Sequence, residues 1–419
     1  MEAELARAEE RTLAEERVPI LDAFRYPSYR WLWANTASAA LVQGVQRFAF
    51  VWLVLEISDL ESAAGIVSFC LGVPVFLFAL PAGVLSDRVS RRTLLIASQW
   101  GAIVVALLIA AAIWLDVMTL PLAFLAAGAM GATIAFGQPV RQAVLPSLVP
   151  RERLMNAIVL NTLGMNVMMI VGPALGGIVI RAFGLGGVFA AQATVFALGL
   201  LALLPLRAPP VARRERATTG VDDLREGLRW IARQRNIAVL MLLLVATGLL
   251  MMGPTMALLP QIAKEELGQD AFAASALFTF TGIGMFGSSM LLASWRGMRN
   301  KGAWFVGWLT AGGLIVMGLG LSPSYPLTAV LMLVWGIGGG FFVNLNQTLI
   351  QGNTPPELMG RVMSVHTLGF LGVTPLGSLL AGGMAAAMGA PSWMAVSGGL
   401  LALVGALTFV TQRDLRRMS

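Results

Sequence analysis

Long charge-free apolar runs, separated by short polar connections, dominate the chain. A helix that crosses a bilayer needs about 20 mostly apolar residues. Uninterrupted runs of that kind cover Ser62–Ser86, Thr93–Leu115, Val117–Val140, Leu154–Ile180, Ala182–Leu206, Asn236–Ala263 and Ala271–Trp295. An earlier span, Tyr29–Ile57, is interrupted only by Arg47 and Glu56. The two longest runs, Gly302–Pro356 and Val362–Gln412, each exceed one helix. Each has a turn cluster near its middle, at Ser322–Pro326 and Gly389–Ser392, so each divides in two. The pattern therefore predicts an all-α membrane protein with twelve transmembrane helices.

The chain also repeats itself. Pro150 and Glu152 recur as Pro355 and Glu357 at an offset of 205 residues, and the same offset carries Arg91 to Arg296 and Asn161 to His366. Two six-helix halves are expected, 28–206 and 237–411, with a segment 1–27 before them, a linker 207–236 between them and a tail 412–419. Parallel halves with a site at their interface are a transporter pattern.

Composition supports this reading and charge orients it. Hydrophobic residues make up 57% of the chain and charged residues 12%, too few charges to cover a soluble surface. The net charge of +7 would indicate nucleic acid in a soluble protein. Here the cations fall in alternate connections and both tails: Arg88, Arg91 and Arg92, then Arg151 and Arg153, then the linker arginines, then Arg296, Arg299 and Lys301, then Arg361. The opposite connections hold only Arg181 and Lys264. Under the positive-inside rule both termini are cytoplasmic, in an inner (plasma) membrane, and no nucleic-acid partner is needed. Residues 1–17 read as a solvated helix or frayed tail. In the linker, Asp222 can cap a helix whose Leu224, Leu228 and Ile231 form an apolar face, predicted to lie on the cytoplasmic leaflet.

Three stretches carry mechanism. Gly83-Val-Leu-Ser-Asp87-Arg88-Val-Ser-Arg91-Arg92 stands between the second and third spans. Asp87 and Arg91 are spaced to pair across one helical turn. The stretch resembles the signature loop of the major facilitator superfamily, with Ser90 where that family usually has Gly. The resemblance implies the major facilitator fold, and a cytoplasmic latch in which Asp87 holds the two halves together. The corresponding second-half loop, Trp295 to Lys301, carries no acid. The fifth span contains Gly172-Pro173-Ala-Leu-Gly176-Gly177. Gly172 and Gly176 form a small-residue packing face and Pro173 bends the helix. It resembles the Gly-Pro-x-x-Gly-Gly motif of the proton-antiporting exporter branch, a reading preferred to packing glycines alone because proline and glycine together exceed generic membrane-helix packing. The connection from Gln138 to Pro150 is similar to the branch containing enterobactin and macrolide exporters.

Polar residues inside spans are costly in lipid and usually face the bundle interior. Asn35 and Gln46 share a face of the first span, with Gln43 and Arg47 beside them. Arg47, the one cation deep in a span, could hold a carboxylate, phosphate or catecholate. Its alternatives are snorkelling outward or pairing with Glu56. Arg141, late in the fourth span, is read equally as a substrate contact or a cytoplasmic-end ion pair. Asn161, Asn344, Gln347 and His366 complete the candidate cavity, although His366 fits a plain helix contact better. Met251, Met252 and Thr255 could form a soft wall, with lipid-facing methionine as the counter-reading.

Enzyme signatures fail. Gly282-Ile-Gly284-Met-Phe-Gly287 lies in an apolar span with no preceding strand, no phosphate-binding Gly-x-x-x-x-Gly-Lys loop exists, and one His and one Cys exclude the usual zinc sets. No catalytic residue, metal or cofactor is expected. The expected function is export of amphipathic small molecules, drug-like or siderophore-like, by alternating access as a monomer. The resemblance implies exchange for protons. Glu56 and Asp116, both near the outer face, are the candidate proton carriers. Metabolite or lysolipid uptake, and a non-transporting membrane scaffold or sensor, are the alternatives.

Overall fold

The computed structural model describes residues 21–206, 220–294, 298 and 300–418, with side chains at all of these except 79, 80, 82–88, 220–223, 293, 294 and 371. The tail 1–17, most of the linker, the second-half loop at 295–297 and 299, and the side chains of Gly83, Asp87, Arg88 and Asp222 lie outside the described residues, and the expected latch and Asp222 cap with them.

Local signals start and stop the helices where the apolar runs predict. α1 (Pro27–Ile57) has its proline in the first turn, where a missing N–H costs nothing. α2 (Ala63–Arg88) ends two residues before α3 (Arg91–Trp114), whose N-cap Ser90 accepts a bond from the Thr93 amide at 3.1 Å. Asp87 and Arg91 therefore sit on two different helices, and the pairing expected between them lies outside the described residues with the Asp87 side chain. The serine that departs from the family pattern is what starts α3.

α4 (Leu120–Val144) follows. α5 (Leu154–Leu203) is continuous in outline but has two arms, 154–183 and 185–203, hinged at Gly184 with φ 70° and ψ −175°. That backbone suits glycine. The charge at Arg181, taken above as the boundary, instead lies inside the first arm.

α6 (Gly220–Arg233) is the linker helix. α7 (Arg235–Glu265) contains a π-turn, Gly248–Met252, just before Pro254, whose ring cannot donate to the preceding turn. α8 (Ala271–Ser294), α9 (Lys301–Gly320), α10 (Tyr325–Gly352), α11 (Met359–Met388), α12 (Ala390–Thr411) and the short α13 (Arg413–Arg417) complete the order. Ten of these segments are long and apolar enough to cross a membrane. Together with α2 and the division of α5, they agree with twelve crossings.

Each half packs around close helix crossings. The Trp33 indole donates to the Leu160 carbonyl and the Tyr29 hydroxyl to the Ala157 carbonyl, tying α1 to α5. A short 3₁₀ turn, Asp22–Arg25, folds onto the same end, where Arg153 reaches buried Asp22 at 3.0 Å. The linker helix does not lie free on a leaflet. Its Gly227 abuts the Arg361 backbone, Ile231 is buried, and Glu226 pairs with Arg361 at 2.6 Å, so α6 docks on the start of α11. Only part of the expected apolar face remains outward, at Leu228.

Candidate functional site

The two halves touch at the end of the bundle opposite the termini. α2 meets α11 where Gly65 faces Ser378 and Gly382, and again where Gly372 faces Phe76. The first arm of α5 meets α8 where Gly177 faces Ser275 and Phe272, and where Thr279 donates to the Ile170 carbonyl at 3.4 Å. A cavity opens between α5 and α8 beyond Ile170 and Gly282, toward the terminal end. Leu163, Asn166, Met169 and Met290 there are exposed and line it.

Two ionic contacts clasp the closed end, and they are reciprocal. Lys264 of the second half lies 3.7 Å from Glu56, donates to the Leu55 carbonyl, and sits over the Trp52 ring. Arg181 of the first half lies 4.0 Å from Asp270 and over Phe272. These are the two cations of the sparse connections, whose place in the sequence indicates sidedness but not a partner. Glu56 is thus the partner of Lys264 and not of Arg47. Asp116 is exposed, with φ 54° in the turn that ends α3, and makes no ion pair among the described residues.

Two cavities lie between the halves, sharing Gln43, Arg47 and Met256. The larger, about 430 Å³, runs between α1, α5, α7 and α8, and Met169, Met285, Met290, Phe278 and Pro173 give it an apolar wall. The smaller, about 180 Å³, is reached from α1, α2, α4, α7 and α11, and holds Gln46, Gln138, Ser68 and Thr374. Arg47 stands at their junction. It makes no hydrogen bond or ion pair among the described residues, and no described Asp or Glu lines either cavity. A guanidinium near the bilayer centre costs about 2.5–3.5 kcal/mol on insertion scales. Gln46 is 1% exposed, and both of its amide atoms lack a partner.

The other sequence candidates divide. Asn35 is fully buried and donates to the Gly199 carbonyl at 2.9 Å, binding α1 to the second arm of α5 and leaving the cavity walls. Arg141 is buried with Nη1 3.5 Å from the Asn35 side-chain oxygen, and with Gln43, Gln138 and Asn161 it lines a small void of about 10 Å³. Its 205-residue counterpart is Asn346, which bonds His366, the counterpart of Asn161, at 2.8 Å. The counterparts in the first half, Arg141 and Asn161, share the small void but bond other partners, whereas His366 makes a helix contact. Asn344 is spent on Ser289 and the Gly340 carbonyl, and Gln347 is exposed outside both cavities. Met252 and Met256 line the cavities; Met251 turns instead toward Gly312 of α9, and Thr255 is buried with its hydroxyl unpartnered.

Arg91 and Arg92 cap carbonyls. Arg91 donates to Ala143 at 2.9 Å and Arg92 to Leu204 at 2.7 Å, holding the ends of α4 and α5. In the glycine–proline motif, Gly172 lies against Leu41 and Gly44 of α1, and Gly176 against Val45. Gly177 alone looks across to the other half.

Residues 20–418 match the model of a family described as transmembrane secretion effector. The multidrug efflux pump Tap of Mycobacterium tuberculosis is 29% identical over 381 residues, covering 87% of this chain and 88% of Tap. The enterobactin exporter EntS of Shigella boydii is 28% identical over 284 residues, covering 66% of this chain and 65% of EntS. The staphyloferrin A transporter of Staphylococcus aureus is 24% identical, covering 78% and 82%. Among solved structures, the nucleoside transporter NupG superposes with a TM-score of 0.71 at 15% identity, covering 91% of this chain and 98% of NupG. A bacterial homologue of the human lysosomal transporter Spinster, inward-facing and occupied, gives 0.70 at 14% identity, covering 94% and 97%. At these identities the superpositions establish the fold.

Proposed function

The chain belongs to the transmembrane secretion effector family of major facilitator transporters, and from that premise we propose that it exports amphipathic small molecules, drug-like or siderophore-like, by alternating access. The observation that carries this reading is the central cavity pair. It lies between two halves that touch at the end opposite the termini, with Leu163, Asn166, Met169 and Met290 exposed in its wall on the other side and Arg47 shared by both cavities. The cation distribution supports placing the terminal end at the cytoplasm of an inner membrane, with both termini there and the clasped end outside. The working unit is a monomer, and Asp87 holds the cytoplasmic latch when the cavity faces outward. Expression in efflux-deficient cells should lower accumulation of N-phenyl-1-naphthylamine, a neutral fluorescent amphiphile; a rise would support uptake instead, and no change with a folded protein would remove the transport reading.

Exchange for protons is the coupling that the resemblance implies, and the clasp geometry constrains it. An exporter exchanging for protons needs its protonated form to close the outer end and return inward. Protonation of Glu56 does the reverse: it removes the charge that Lys264 meets and loosens the clasp. Glu56 is therefore a gate residue in this reading, and exposed Asp116 a turn residue. Lys264→Gln should weaken outer closure by about 1 kcal/mol, a roughly fivefold shift toward the outward-open form. Distance distributions between spin labels at Asp59→Cys and Glu266→Cys, in a Cys70→Ala background, read that shift. An unchanged distribution would show that the pair is incidental. Proton exchange itself is tested by collapsing the pH gradient during N-phenyl-1-naphthylamine efflux from vesicles, which should stop it; unchanged efflux would rule the coupling out.

A further inference from the structure

We propose that the cavity pair is built for an amphiphile carrying a single anionic group, with the charge seated between Arg47 and Gln46 and the apolar body lying along the methionine-lined cavity. The proposal deepens the transporter reading and relies on it only in calling the occupant a substrate.

The polar side of the cavity pair holds unmet donors. Arg47 reaches both cavities and has no anion among the described residues. Gln46, one position earlier on α1, is buried beside the smaller cavity with its amide nitrogen and oxygen both unpartnered. A buried unpartnered amide is destabilising unless something occupies the site. Gln43 and Gln138 line the same cavity, and Arg141 lies behind them with only the Asn35 oxygen at 3.5 Å. Two guanidinium groups with no described carboxylate facing them make the region electropositive. A planar guanidinium suits a carboxylate, sulfonate, phosphate or catecholate oxygen pair, and a cationic drug would be repelled.

The apolar side supplies the shape. Met169, Met256, Met285 and Met290 with Phe278 and Phe286 enclose a volume of about 430 Å³, within the usual range for small-molecule sites. Thioether side chains repack around different bodies, so this wall accepts many apolar frameworks while the charge site fixes one end. One guanidinium at the junction also sets the charge of the cycle. A loaded site is neutral and an empty one positive, so each export cycle carries one negative charge outward. An inside-negative potential of 100 mV then favours export by about 50-fold.

The test uses two fluorescent probes that share a framework. 1-Anilinonaphthalene-8-sulfonate carries one sulfonate, and N-phenyl-1-naphthylamine lacks it. Full-length protein in phosphatidylcholine nanodiscs, with empty discs subtracted, should bind the sulfonate at least tenfold more tightly. Arg47→Gln should erase that preference while leaving the neutral probe's affinity unchanged, and Arg47→Lys should retain part of it. Gln46→Leu should raise the melting temperature of the empty protein yet weaken sulfonate binding, which a merely structural glutamine would not do. Equal affinity for the two probes, or equal loss of both in Arg47→Gln, overturns the proposal. If Arg47→Gln does not fold, Arg47→Lys and Gln46→Leu decide by the same criterion. In proteoliposomes, sulfonate efflux should rise when valinomycin imposes an inside-negative potential. Sulfonate preference in binding with no movement of either probe or of ethidium would sink the transporter reading and leave the site standing. Movement of ethidium and the neutral probe without sulfonate preference would do the opposite.

Discussion

Replacing Gly177 with valine is expected to cut transport at least tenfold while leaving the protein folded and in the membrane. A Cβ at this position would run into the Ser275 hydroxyl and come within 2.9 Å of the Phe272 Cα. Ser275 is fully buried, and the Phe272 contact is to backbone, so neither can yield without moving α8. Overpacking of this kind costs about 1–3 kcal/mol, more when backbone must shift. The cost falls only on the conformation in which α5 and α8 touch. The outward-open form, in which they part, escapes it, so the equilibrium shifts toward that form by about tenfold for each 1.4 kcal/mol. Spin labels on Asp59→Cys and Glu266→Cys should report an opened outer end, and substrate bound from the cytoplasmic side should be lost. Normal transport with a closed outer end would show that this crossing is not the gate.

Gly172→Val, five residues earlier in the same motif, should fail differently. Its Cβ would meet the Leu41 carbonyl oxygen at 2.8 Å and the Gly44 Cα at 3.1 Å, both in α1 of its own half. That contact persists in either conformation of a rigid-body exchange. The penalty, again roughly 1–3 kcal/mol or more, therefore lands on the folded state itself. The expected result is a lower melting temperature and a several-fold lower yield of membrane-inserted protein. The label distances in whatever protein remains should be unchanged. Wild-type stability, or an opened outer end, would contradict the separation of packing and gating within this motif. Gly44→Val, on the other face of the same crossing, should reproduce the Gly172 phenotype.

These two glycines show how far the chain could be read directly. The Gly-Pro-x-x-Gly-Gly pattern announced close helix packing, and packing is what Gly172 and Gly176 do. Nothing in the spacing distinguished the glycine that faces its own half from the one that faces the other. The same holds on α1. Asn35 and Gln46 share a helical face by spacing, yet one bonds the Gly199 carbonyl and the other sits unpartnered by the cavity. Helix tilt relative to its neighbours separates them. Pairing with Glu56 was one alternative open to Arg47, because both interrupt one span; the structure gives Glu56 to Lys264, more than two hundred residues away in sequence.

Span lengths, the two repeated halves and the sidedness of the cations are properties of the sequence alone. They follow from bilayer thickness, from internal similarity and from the cost of carrying charge across lipid, none of which requires knowing which helices touch. The isolation of Arg47 as the one deep charge was equally legible. Only the tertiary structure decided which glycine faces the other half, which cations reach across the halves, and which amide faces the cavity. The physical reason is that lipid and protein interior are both apolar. A membrane helix needs no polar face to find its place, so its sequence carries little periodic signal of which side meets a partner. Facing is set by close backbone approach at small residues, and that becomes visible only when both helices are in view.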